Sequence, residues 1–308
     1  MKLHYISQTL LAIFICCIPF LTMVNPMVHG ETGKTLEDLY PGLASDVFKS
    51  ATPAKLPKGT LLIAGGLTIK ESEIAKVISQ SEPSVRKQLT QNAFFLLENM
   101  ATKGLLLQEA RKAGLVKGDE DKSIANFLSE KIKISAVSEE ELKNFHLQNK
   151  EMIGGTPFEK VRDVLKEFLT QQKRQKAVQQ YILTLGQRTP IQINEDWVKK
   201  QSTLALDNPV DRARRLGKPT MVEFGATGCV PCDMMTPILA DLRKRFPEKL
   251  NVLFVHVGQE KILGTRFGIQ SIPVQVFFDK DGREFFRHTG FFPQVEVEKK
   301  LAQMGITN

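Results

Sequence analysis

The spacing of apolar residues changes once along this chain, and the change divides what it can fold into. From about residue 71 to 190 they recur at threes and fours, the period of amphipathic helices. Val85, Leu89, Phe94, Leu97, Leu105, Leu106 and Ala110 form one such series; Val161, Leu165, Phe168, Leu169, Val178, Ile182 and Leu185 form another. Over the last hundred residues, short strand-like runs (Thr220–Phe224, Val252–Val257, Val274–Phe278, Arg283–His288) follow one another, joined by helix-sized stretches or, for the last two, by a hairpin turn at Asp279–Gly282. The first region is expected to be an all-α domain. The second is expected to be an α/β domain, a mixed sheet with helices on its faces. A chain of 308 residues that is 42% apolar can furnish both cores.

Local signals set the expected boundaries. Residues 31–59 carry Pro41, Pro53 and Pro57 and read as a linker ahead of a helical domain over 60–200. Thr68 with Glu71 three positions on predicts a capping box, and Ser138 with Glu141 predicts another. Pro83 opens the longest early helix, which Gly114 ends, and Asp119–Lys133 fits a further helix. Gly154-Gly155 makes a loop before a long helix from Phe158 to Leu185, closed by Gly186 and Pro190. Ile191-Gln192-Ile193 alternates briefly like a strand, and the α/β domain then spans 207–308.

The first thirty residues read as a targeting segment. Lys2 precedes a nearly continuous apolar run over Leu10–Val24, and Val28-His29-Gly30 offers a cleavage site. The run is shorter than the ~20 residues of a spanning helix, so a cleaved signal peptide is expected, with an uncleaved anchor as the alternative. Either reading exports the chain, to the periplasm. Cys16 and Cys17 fall inside this segment, which leaves Cys229 and Cys232 as the only cysteines of the mature chain. The net charge of +8 comes with no basic tract interleaved with aromatics, which argues against nucleic acid as a partner.

Cys229 and Cys232 lie two residues apart, directly after the apolar run Thr220–Phe224, and open a helix. A sulfur at a helix N-terminus meets unpaired backbone N–H groups and the positive end of the dipole, which favour a thiolate. The second thiol, one turn on, stands where it can resolve a mixed disulfide. A zinc site is disfavoured: there is no second CxxC, and His256 and His288 lack ligand spacing, so both read as structural residues. No metal or cofactor is expected.

Residues 207–308 resemble a thioredoxin-fold domain. The resemblance is carried by Val222-Glu223-Phe224 six residues before Cys229, by Pro237 in the CxxC helix, by Ile272-Pro273 and by Gly290. It implies Cys229 as attacking thiolate and Cys232 as resolving thiol. It implies Glu223 as a buried acid that exchanges a proton with Cys232, and Pro273 as a cis proline presenting a backbone edge to an extended peptide. Gly228 departs from the family's aromatic residue before the first cysteine, Glu223 from its commoner Asp, and Phe254 from a lysine near the buried acid. Val230-Pro231 keeps the proline of reducing members and lacks the histidine of oxidising ones. The expectation is therefore a periplasmic protein disulfide oxidoreductase that reduces or exchanges disulfides. A disulfide oxidase or isomerase, or a non-catalytic binding module, stays open.

Residues 60–195 resemble the helical region of SurA-like and PrsA-like periplasmic chaperones, through Thr60–Glu73, Glu98–Leu115, Val137–Leu142 and Gln172–Asn194. Only Lys150–Phe158 stands where those families insert a parvulin isomerase domain, so no isomerase activity is expected. The resemblance implies a helical domain that binds unfolded or disulfide-bonded secreted proteins, with a separate thiol–disulfide electron carrier as redox partner. A dimerisation or spacer domain is the alternative.

Overall fold

The computed structural model describes residues 33–150 and 155–307; the expected signal peptide lies outside them. Lys34 onward forms one compact unit. Its first part contains α1 (Leu36–Leu39), β1 (Thr52–Ala54), β2 (Thr60–Ala64), β3 (Leu67–Lys70), α2 (Glu71–Gln80), α3 (Pro83–Gln91), α4 (Ala93–Lys112), α5 (Glu120–Lys131), α6 (Glu139–Gln148), α7 (Phe158–Arg188), β4 (Ile191–Asn194) and α8 (Glu195–Ala205). The second contains α9 (Pro209–Arg214), β5 (Thr220–Gly225), α10 (Val230–Arg245), β6 (Asn251–His256), α11 (Lys261–Arg266), β7 (Val274–Phe278), β8 (Glu284–Thr289) and α12 (Gln294–Gln303).

The first part is helical but not all-α. A sheet of order β1-β4-β2-β3 sits within it. Gly65 and Gly66 take positive φ (52° and 86°) and turn β2 back on β3, which places Thr68 in a strand opposite Ile63. Thr68 therefore caps nothing. α2 starts at Glu71, and the Glu73 carboxylate accepts from Lys70 N–H at 2.7 Å. The Ser138–Glu141 capping box forms as expected. The early helix breaks at Asn92 into α3 and α4, with Gly114 in the left-handed region just beyond α4.

Two more expectations need correction. Residues 34–59 are no linker: Leu36, Leu43, Val47, Phe48 and Ala51 are buried in the same core as Phe94, Leu97 and Val198. β1 pairs in parallel with β4, and Pro53 is tolerated because β1 is an edge strand. A buried carboxylate holds the preceding loop. Glu98, 3% exposed, accepts from Ser45 N–H, Asp46 N–H and Phe48 N–H at 3.1–3.2 Å and from Ser45 Oγ at 2.7 Å. Nor does Gly186 end the long helix. α7 runs through it to Arg188, and the glycine serves another purpose: a Cβ there would stand 2.2 Å from the Val47 carbonyl oxygen, so only glycine lets the two backbones touch.

The second part has the expected mixed sheet, of order β6-β5-β7-β8. β5 lies parallel to β6 and antiparallel to β7, and β7 and β8 form a hairpin whose turn includes Gly282 at φ 75°. One face packs on α10 and α12 through Met221, Met235, Leu239, Phe277 and Val297. The other packs Val222, Phe224, Val255 and Val276 around Val210 and Leu263. A buried ion pair fastens the two parts together. Arg266 donates to Asp211 Oδ2 at 2.6 Å, to Ala205 O at 3.0 Å and to Gly42 O at 2.8 Å. No described helix is long and apolar enough to cross a membrane.

Candidate active site

β5 is buried along its whole length, and its pleat sorts its residues between the two cores. Val222 and Phe224 face one core and Met221 faces α10. By the same alternation Glu223 and Gly225 also lie on the α10 side. The chain leaves β5 through Ala226-Thr227-Gly228, with Gly228 at φ 78°, and enters α10 with Cys229 as N-cap. Pro231 stands in the first turn, where a missing N–H costs nothing.

Cys229 and Cys232 are joined in a disulfide. Cys232 is buried at 3% exposure, while Cys229 is partly exposed beside Val230, which is 70% exposed. Cys232 N–H points at Cys229 Sγ from 3.3 Å. A donor so placed interacts weakly with a disulfide sulfur and strongly with a thiolate, since charge-assisted hydrogen bonds are about twice as strong. Pro237 lies inside α10 without ending it.

Glu223 is fully buried, and neither carboxylate oxygen has a hydrogen-bond partner. Burial pushes its carboxyl up to about 8, against smaller lowering influences from the Gln275 amide and the Arg243 guanidinium. Its cross-strand neighbours are Gln275 on β7 and Phe254 on β6. The Gln275 amide is also buried and makes no hydrogen bond of normal geometry. Glu223 stands two residues, about 6.6 Å, along the strand from Gly225. A Cβ on Gly225 would lie 3.2 Å from Cys232 Sγ and 2.9 Å from the Phe254 ring. The acid, the inner sulfur and an aromatic ring therefore meet on one face.

The Ile272–Pro273 bond is cis. Val274 pairs with Phe224, so one step further along that antiparallel register sets Pro273 opposite Gly225, at the cysteine end of the sheet. Pro273 O accepts from Gly290 N–H at 2.8 Å, which ties the two resemblance residues together. All four expected site residues, Cys229, Cys232, Glu223 and Pro273, converge on this end of β5. His288 does not join them; it stacks on Phe292 at 4.3 Å, and burial holds its imidazole below the usual range. His256, read from the sequence as structural, lies beside the site after all and bonds to Thr227. Its signal was the strand period: it follows Phe254 by two on β6.

Comparison with known proteins agrees with this geometry. A thioredoxin-like domain model matches residues 206–305. A thioredoxin of Alicyclobacillus acidocaldarius is 34% identical over 87 residues, 28% of this chain and 82% of that protein. The chain belongs to the thioredoxin family. A thioredoxin-like protein of Synechocystis is 36% identical over 84 residues, 27% of this chain and 79% of that protein. The solved thioredoxin of Fasciola hepatica aligns at 27% identity and a TM-score of 0.27, over 29% of this chain and 82% of that one. The thioredoxin domain is thus the C-terminal third of a longer chain, and it makes the protein a thiol–disulfide oxidoreductase. Within the described residues no group of acidic, His or Cys side chains is arranged to hold a metal ion.

Proposed function

We propose that the protein reduces or exchanges disulfides in exported polypeptides through Cys229 and Cys232. The Cys229 thiolate attacks one sulfur of a client disulfide and expels the other as thiolate, forming a mixed disulfide. Cys232 then passes its proton to ionised Glu223 and attacks Cys229 Sγ, releasing the second client sulfur. Two electrons move from the pair to the client, and the pair is left oxidised. A dithiol carrier restores it by the reverse exchange. Pro273 offers its backbone edge to the client beside the sulfurs. The observation that carries this reading is the Cys229–Cys232 pair at the start of α10, with Cys232 buried against the face of β5 that carries an unpaired carboxyl raised to about 8. An acid that titrates near working pH can both take and return a proton.

The location and the role of the helical part belong to the same proposal. Lys2 and the apolar Leu10–Val24 run support export to the periplasm. The likeness of 60–195 to SurA-like and PrsA-like chaperones supports a client-binding role. So does the α6–α7 hairpin, which has a small core of its own (Val137, Leu142, Leu165) and exposed Leu147 and Val164. Holding a client there would raise its effective concentration at Cys229.

The test is to trap mixed disulfides in cells with Cys232→Ser and identify what is bound through Cys229. Unfolded secreted proteins together with a reducing carrier are expected. Recovery of an oxidising carrier alone would reverse the direction in favour of an oxidase, and recovery of nothing would leave a binding module.

A further inference from the structure

The loop Ala226–Gly228 alone connects the rigid β5 to Cys229, and one side chain from the neighbouring strand holds it. Thr227 N–H donates to His256 Nε2 at 3.2 Å, and Thr227 Oγ1 lies at the same distance from that nitrogen. A backbone N–H can bond Nε2 only through its lone pair, so the imidazole is neutral here and its hydrogen sits on Nδ1. Nδ1 is buried and has no partner. The ring is also confined by packing. A Cβ on Gly258 would stand 3.0 Å from it, and the Phe254 ring meets it edge-on at 6.4 Å between centroids. Its backbone is held as well, for His256 pairs in register with Gly225, and Val257 N–H donates to Gly225 O at 2.9 Å. A buried polar nitrogen left without a partner costs free energy that a purely structural side chain would avoid. The other nitrogen of that ring is spent on the loop that delivers the reactive cysteine.

We propose that His256 is a positioning residue of the redox site, which fixes the Thr227–Gly228 loop so that Cys229 Sγ stays in line with the N-terminal N–H groups of α10. The role rests on the oxidoreductase reading. Its consequence follows from the Cys232 N–H aimed at Cys229 Sγ, because that donor stabilises the thiolate more than the disulfide. Loosening the loop therefore costs the reduced form more than the oxidised form and moves the couple towards the disulfide.

The test uses the full chain, equilibrated with reduced and oxidised glutathione and read by alkylation and mass. His256→Leu, which removes the acceptor, is expected to shift the equilibrium constant about 3- to 10-fold towards the disulfide, the effect of one hydrogen bond. It is also expected to slow alkylation of Cys229 at neutral pH. His256→Gln can return an acceptor oxygen to the Nε2 position and is expected to stay within about twofold of wild type on the same scale. If the Leu variant does not fold, His256→Asn takes its place, since its amide is too short to reach Thr227; it is expected to shift as Leu would. A Leu or Asn variant with the wild-type constant overturns the proposal, even if its stability is lowered. So does a Gln variant shifted as far as Leu. A wild-type pair that never equilibrates with glutathione refutes the oxidoreductase reading itself and this role with it, an outcome distinct from either.

Discussion

Replacing Glu223 by glutamine should make the oxidised protein more stable, and increasingly so as pH rises. An ordinary glutamate loses its proton near 4.5, and this one near 8 in the folded chain. Between those values the unfolded chain is ionised while the folded chain retains the proton, so stability falls with rising pH, by about 1.4 kcal/mol per pH unit. The accumulated penalty is ~1 kcal/mol at pH 5, ~3 kcal/mol at pH 7 and ~4 kcal/mol at pH 8. A glutamine at this position cannot ionise, so the variant's advantage over wild type should grow by ~3 kcal/mol between pH 5 and 8. Any constant cost of the amide's fit cancels in that difference. The assay is urea unfolding of the oxidised proteins at pH 5, 7 and 8, followed through the transition of the thioredoxin domain. Parallel pH dependence in the two proteins would show that the carboxyl is not held protonated, and the argument for a proton carrier beneath Cys232 would fail.

Three other variants probe separate features. Phe254→Lys places an ammonium on the cross-strand neighbour of Glu223; it should lower the carboxyl's titration by about one pH unit, read by difference infrared spectroscopy of the carboxyl band. Gly186→Ala drives a methyl into the Val47 carbonyl and should cost about 2–3 kcal/mol in urea unfolding. Glu98→Ala strands the N–H groups of Ser45, Asp46 and Phe48 and should cost about 3 kcal/mol, with amide exchange at 43–48 accelerated.

The parts of the fold legible in the sequence are those built from local signals. The Ser138–Glu141 box, the helix read over Asp119–Lys133, and the change from helical to strand period all depend on residues close together in the chain. The site residues followed from the CxxC and its companions because the thioredoxin fold brings those positions together. What stayed hidden depends on partners remote in sequence. β1 pairs with β4 across some 140 residues, so Pro53 and the prolines on either side of it looked like a linker. Gly186 looked like a helix stop because the reason for a glycine there is the backbone of Val47. Nothing in the residues around Glu98 marks it as a buried acceptor, because the donors it accepts from lie about fifty residues upstream. Phe254 was noticed for the charge it lacks, and the close approach of its ring to Gly225 appears only once β6 lies beside β5.

The central claim, that electrons pass to protein disulfides through Cys229 and Cys232, is tested most directly by insulin reduction with dithiothreitol as donor. The full chain should accelerate precipitation of the insulin B chain well above the dithiothreitol background. Cys229→Ser should bring it to that background. A wild type no faster than dithiothreitol alone, or turnover that survives Cys229→Ser, would contradict the account.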